Sequence, residues 1–118
     1  MQERTELEVS DFLMEEDLLC QAAEEAVELA HAALKLARIV RGMNPTPVGY
    51  ELAKAKLTEE TADILVAIEQ LQAIDWKKVD ELRDVKLERW LSRLTEQRRK
   101  EEEQRYQVQH GFTMKNGG

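Results

Sequence analysis

Two pairs of acidic residues combine one-turn spacing with an apolar helical pattern. The first pair is Glu25 and Glu28, within CQAAEEAVELAHAALKLA at residues 20–37, and the second is Glu60 and Asp63. Residues three apart lie on the same side of a helix, so each pair points at whatever packs there. A buried ionised carboxylate costs on the order of several kcal/mol unless a cation or strong hydrogen bonds compensate it. Four facing carboxylates would therefore need a metal.

The chemistry of such a site follows from its ligand type. Carboxylate oxygens without histidine or cysteine suit hard cations, above all Mg²⁺ with Mn²⁺ as a substitute. Magnesium usually keeps several waters and shares oxygens with substrate phosphates. The two acidic pairs therefore indicate phosphate chemistry.

Each acidic pair has a member set in an apolar seam whose residues alternate in spacing by four and three, the period of a packed helix. The two seams are Leu18, Ala22, Glu25, Leu29, Ala32 and Leu36, and then Ala53, Leu57, Glu60, Ile64, Ala67, Leu71 and Ile74. The first seam predicts a helix from about Met14 to Arg41, stopped by Gly42. The second predicts a helix that starts at Pro47 or near Glu51 and runs to about Ile74. If these helices pack antiparallel, the two acidic pairs come within reach of each other.

The remaining segments complete an all-α, four-helix prediction with three regions. Residues 1–13 can form a short leading helix, 14–94 hold the main helical domain, and 95–118 form a charged helical extension and flexible tail. The fourth helix is expected from about Lys78 to at least Leu94. Because such polar helices leave a thin core in one copy, we expect homo-oligomerisation to complete the bundle.

Composition excludes several classes of partner. The chain has 118 residues, 42% hydrophobic and 35% charged, with a net charge of −7. Residues 1–30 hold ten acidic residues against one basic residue, which argues against nucleic-acid binding. Lys35 and Arg38 interrupt the most apolar stretch, and no secretory pattern begins the chain. No membrane segment is therefore expected, and a cytoplasmic location is predicted. Residues 77–100 reverse the balance, with nine basic residues against five acidic, which suits a small anionic ligand.

Four stretches together resemble the MazG-like all-α nucleoside triphosphate pyrophosphohydrolases. They are EEAVEL at 24–29, GMNPTP at 42–47, KLTEETADIL at 56–65 and KLERWLSRL at 86–94. The resemblance covers about residues 18–94 and depends on ExxE, a loop, ExxD and a basic closing helix in that order. It departs from the family at Arg89, where many members have asparagine, and before Gln21, where an aromatic, glycine-rich segment is missing.

The resemblance implies hydrolysis of an NTP or dNTP to the monophosphate and pyrophosphate, by a homodimer or homotetramer. Glu25, Glu28, Glu60 and Asp63 would then be the Mg²⁺ ligands, and Glu24 a candidate to orient or deprotonate water. Lys86 matches the family's lysine on the closing helix, where we expect it to bind phosphate. Position alone adds further candidates, namely Arg89, Lys54 and Lys56 for phosphate and Trp76 and Tyr50 for stacking on the base.

Two other readings of the acidic pairs stay open. Carboxylate-bridged di-iron bundles pair glutamates with ExxH motifs, and this chain has one such motif, at Glu28 and His31. A noncatalytic acidic helical bundle that binds a partner protein would need no metal. The presence of all four family ligands favours the hydrolase over both alternatives.

Overall fold

The helical regions agree with the all-α prediction. The computed structural model describes residues 6–42 and 49–116, with side chains described as far as His110. Its elements are a 3-10 helix at Val9–Asp11 and three α-helices, α1 (Glu15–Val40), α2 (Tyr50–Glu69) and α3 (Trp76–Asn116). Across these described ranges there is no strand. The chain divides after Ile74 into two compact units.

Within residues 6–13 the predicted leading helix is reduced to one short turn, and residues 1–5 of that prediction lie outside the described residues. Residues 6–8 are extended or irregular, and only Val9–Asp11 form a single 3-10 turn. Asp11 closes this turn by accepting a hydrogen bond from the backbone N–H of Glu8 at 2.8 Å. Leu7 and Phe12 are largely exposed, so residues 6–13 have no buried face that would stabilise a longer helix.

The start of α1 follows from local chemistry. The backbone N–H of Met14 donates to the Asp17 carboxylate at 3.3 Å. The three acidic residues 15–17 also oppose the positive end of the helix dipole. Both contacts favour a helix that begins at Glu15, one residue after the predicted start.

The glycine stop at the end of α1 is confirmed. Gly42 has a φ of 71°. Side chains disfavour this left-handed conformation, which glycine adopts without strain. The Gly42 N–H donates to the carbonyl of Ile39 at 3.0 Å. The start predicted at Pro47 lies outside the described residues. Helix α2 begins at Tyr50, close to the alternative start near Glu51.

The core of the first unit is the pair of predicted seams. Every seam position is buried or half-buried, and Leu18, Ala22, Ala67 and Leu71 form one hydrophobic cluster. Since this cluster joins the start of α1 to the end of α2, the two helices are antiparallel. The four buried alanines (Ala22, Ala32, Ala53 and Ala67) allow the helix backbones to approach closely.

The second helix ends five residues before its predicted limit. It stops at Glu69, although Leu71 and Ile74 still contribute to the hydrophobic core from the following loop. The Glu15 carboxylate holds this loop by accepting hydrogen bonds from the backbone N–H groups of Gln72 at 3.2 Å and Ala73 at 2.9 Å. The apolar spacing therefore continues past the end of α2 because Leu71 and Ile74, in the loop, pack in the same hydrophobic cluster as the helix residues.

We expect Glu15→Gln to lower the free energy of unfolding by about 1–2 kcal/mol, because a neutral amide has only one acceptor oxygen for two backbone donors. Glu16→Gln removes the same charge from the same helical turn and is the matched control, with little expected change. Urea denaturation of both variants measures the difference. Equal stability of the two would show that the loop does not depend on the Glu15 carboxylate.

The second unit is dominated by α3, a helix of 41 residues. Asp75 caps its start by accepting a hydrogen bond from the N–H of Lys78 at 3.1 Å. Farther along, Arg99 bridges Glu96 and Glu103 at 2.8 and 3.0 Å, and the hydrogen bond and charge of Arg99 lower the pKa of Glu96. Such i, i+3 and i, i+4 pairs support a helix that is polar on all sides. Within the described parts of the chain, no helix is long and apolar enough to cross a bilayer.

Candidate metal centre

Three of the predicted ligands meet between α1 and α2. One carboxylate oxygen each from Glu25, Glu60 and Asp63 lies within 4.8 Å of the other two. Glu25 comes from α1, while Glu60 and Asp63 are one turn apart on α2. Glu60 is 4% exposed, Glu25 is half-buried and Asp63 is exposed, so the cluster extends from the helix interface to solvent.

The buried Glu60 carboxylate has a cation beside it. Lys56, one turn earlier on α2, places Nζ 2.8 Å from Glu60 Oε1. The hydrogen bond to Glu60, followed by the charges of Glu59 and Glu60, raises the pKa of Lys56. The side chain of Lys56 is 54% exposed, so it approaches the cluster from the solvent side. Its positive charge compensates the negative charge of the buried Glu60 carboxylate.

The Glu25 side chain is oriented from within its own helix. Gln21 Nε2 donates a hydrogen bond of 2.8 Å to Glu25 Oε1, across one helical turn. This bond leaves Glu25 Oε2 and the remaining lone pairs available for another partner. Gln21, to which the sequence analysis assigned no role, thus has a positioning contact with Glu25.

The donor set fits a hard divalent cation. Of the three carboxylates, only Glu60 pairs with the Lys56 ammonium, so the formal charge of the three exceeds that of this cation by two. The oxygen-only set matches Mg²⁺ or Mn²⁺, and the spacing of the oxygens allows one ion to contact more than one carboxylate. His31 is not a member of this cluster among the described residues, which disfavours the di-iron alternative.

The other two predicted acids lie outside this group. Glu28 is exposed and is not part of the three-residue cluster, although its charge contributes to the raised pKa of Lys56. It flanks the seam, because the inward positions of α1 continue from Glu25 to Leu29. Glu24 is also exposed. Their roles as ligand and as water-orienting residue stay predictions.

The predicted phosphate and base contacts have different positions. Lys54 is exposed on α2, whereas Lys56 contacts the cluster directly. Lys86 and Arg89 are exposed on α3, in the second unit. Two exposed aromatic candidates begin helices, Tyr50 in α2 and Trp76 in α3.

Comparison with family models, curated proteins and solved structures gives no match to this chain. The relation to MazG-like enzymes therefore stays a resemblance that depends on its motifs. What sequence reasoning missed is the pairing of Lys56 with Glu60. Their i, i+4 spacing on a helix is the signal that predicts it.

Proposed function

We propose that this protein is a Mg²⁺-dependent nucleoside triphosphate pyrophosphohydrolase. The observation that carries the proposal is the cluster of Glu25, Glu60 and Asp63, with one buried carboxylate, on two antiparallel helices. The order of ExxE and ExxD in the sequence supports it as well.

The reaction consumes one water. Its oxygen adds to the α-phosphorus, the bond from that phosphorus to the α–β bridging oxygen breaks, and the electron pair leaves with pyrophosphate. The water's protons are shared between the products and the surrounding buffer. Glu24 is the candidate carboxylate to orient this water and accept a proton from it first.

Different residues of the chain would bind the metal and the phosphates. Glu25, Glu60 and Asp63 would hold the metal, with Glu28 as a further ligand. When bound, the ion neutralises charge on the phosphate oxygens and lowers the pKa of a bound water. Lys56 contacts a metal ligand, so it is the nearest candidate to bind phosphate once its ammonium leaves Glu60. Lys86 is proposed for phosphate on the family's pattern alone.

We further propose a four-helix bundle completed by a second copy, in a homodimer or homotetramer. In the described residues the buried hydrophobic core consists of only two leucines and four alanines. Several large apolar side chains of α3 are exposed, among them Leu87, Trp90, Leu91 and Leu94. An oligomer would cover this apolar surface. The same surface also suits the second candidate function, a noncatalytic protein-binding bundle.

Product analysis tests the proposed activity. Eight NTPs and dNTPs are incubated separately with the protein and Mg²⁺, with EDTA as the control, and the products are separated by ion-exchange chromatography. We expect a monophosphate and pyrophosphate from at least one nucleotide, and neither product in EDTA. A diphosphate with inorganic phosphate would contradict the proposed bond, and no turnover of any substrate would favour the protein-binding bundle.

A further inference from the structure

A cavity of about 330 Å³ lies between α1 and α2, and its lining includes Lys56, the ion-pair partner of Glu60. Buried Ala32 and Ala53 contribute to its wall from opposite helices. Its exposed charged residues are Lys35 from α1, together with Lys56 and Glu59 from α2. The cavity therefore combines an apolar wall of alanines and Leu52 with two ammonium groups and one carboxylate at the solvent side.

Lys56 connects this cavity to the candidate metal centre. It lines the cavity and also places Nζ 2.8 Å from Glu60 Oε1. If the reacting phosphate of a ligand lies at the carboxylates, the rest of its phosphate chain can extend past Lys56 into the cavity.

The two lysines differ in how their charges are compensated. Lys56 pairs with Glu60 at 2.8 Å and approaches Glu59 at 3.9 Å. Lys35 makes no ion pair in the described part of the chain, yet it lines the same cavity. It is therefore the lysine of the pair whose charge is available to an anionic ligand without first breaking an ion pair.

We infer that this cavity binds the β- and γ-phosphates of the substrate, with Lys35 as a specificity-determining residue for the triphosphate chain. This inference rests on the proposed function and extends it to a second group of residues. Lys35 donates to the terminal phosphate, and Lys56 contacts the phosphate nearer the carboxylates. The nucleoside then lies outside the cavity, so the site recognises the number of phosphates and not the base.

The test uses inorganic tripolyphosphate, which has the phosphate chain but no nucleoside. Its affinity for the protein with Mg²⁺ is measured by isothermal titration calorimetry. We expect Lys35→Gln to weaken binding about tenfold, the effect of losing one charge-assisted hydrogen bond of about 1.4 kcal/mol. Arg38→Gln is the matched control, because Arg38 is a cation on the same helix that does not line the cavity. This control is expected to weaken binding less than about threefold, the effect of a screened surface charge.

The outcomes separate this inference from the proposed activity. Wild-type turnover of nucleotides with unchanged tripolyphosphate binding in Lys35→Gln would overturn the cavity assignment and leave the activity standing. Tripolyphosphate binding that depends on Lys35, in a protein that hydrolyses no nucleotide, would support the cavity and contradict the activity. The inference would be overturned if tripolyphosphate binding weakened equally in both variants or if the wild type did not bind tripolyphosphate. It would also be overturned if adenosine or thymidine, which have no phosphate, competed with tripolyphosphate for the site.

Discussion

We expect Glu60→Gln to lower kcat/KM for nucleoside triphosphate hydrolysis by at least about a thousandfold. Metal ions contribute several kcal/mol of transition-state stabilisation, and each ~1.4 kcal/mol corresponds to a factor of ten in rate. Glu60 is the most buried member of the cluster, so solvent cannot easily replace its carboxylate. Glutamine keeps the size of the side chain and an oxygen that can accept the hydrogen bond from Lys56, which preserves the packing.

The control for this variant is Glu69→Gln, an exposed glutamate on the same helix outside the cluster. Its kcat/KM should stay within about threefold of the wild type, because isolated surface charges contribute little. Circular dichroism in EDTA checks that both variants are folded. Wild-type kcat/KM in folded Glu60→Gln would remove the cluster from the catalytic site.

The second large effect is expected from magnesium alone. If the cluster binds Mg²⁺ only in the folded state, a concentration one hundred times the dissociation constant adds about 2.7 kcal/mol to the free energy of unfolding. For a chain of this size that corresponds to a rise in Tm of roughly 10 °C. Differential scanning fluorimetry across a Mg²⁺ titration measures the rise, with potassium chloride at matched ionic strength as the control.

The variants distinguish site binding from general salt effects. Glu60→Gln should lose most of the magnesium-dependent rise, while Glu69→Gln should keep it. The ion must also compete with Lys56 for Glu60. The rise in Tm therefore measures the free energy of Mg²⁺ binding minus the free energy lost when the Lys56–Glu60 ion pair breaks. A Tm that is flat from micromolar to millimolar Mg²⁺, or an equal rise in all three proteins, would count against a folded metal site.

The helices α1 and α2 were predictable because the apolar spacing along each helix agrees with the residues that the packed structure buries. The alternating four-three spacing selected residues that the structure buries or half-buries, and Gly42 marked the end of α1. The predicted helix, residues 14–41, therefore differs from the observed α1, Glu15–Val40, by one residue at each end. The position of Glu60 within the buried face followed from the same pattern.

The end of α2 was wrong because apolar periodicity does not require a continuous helix. Leu71 packs in the core from a loop that two hydrogen bonds to Glu15 stabilise. Those bonds join residues 57 and 58 positions apart in the chain, so no local pattern reveals them. In the described part of the leading segment, residues 6–13, a longer helix does not form because Leu7 and Phe12 stay exposed and no burial stabilises it.

The candidate site was predicted in its residue types but not in its detailed geometry. Sequence spacing put Glu25 and Glu28 on one side of α1, yet only Glu25, which lies within the seam, meets Glu60 and Asp63. Lys35 appeared in the sequence only as a charge that interrupts an apolar stretch. Its place beside the cavity depends on how α1 packs against α2, which the spacing within one helix cannot give.

The most direct test of the proposed activity is to find which phosphorus atom receives the water oxygen. The protein, Mg²⁺ and the best nucleotide of the panel are incubated in water enriched in oxygen-18, and the products are analysed by mass spectrometry. Attack at the α-phosphorus predicts one labelled oxygen in the monophosphate and none in pyrophosphate. Label in pyrophosphate, or release of labelled inorganic phosphate with a diphosphate, would contradict the proposed reaction.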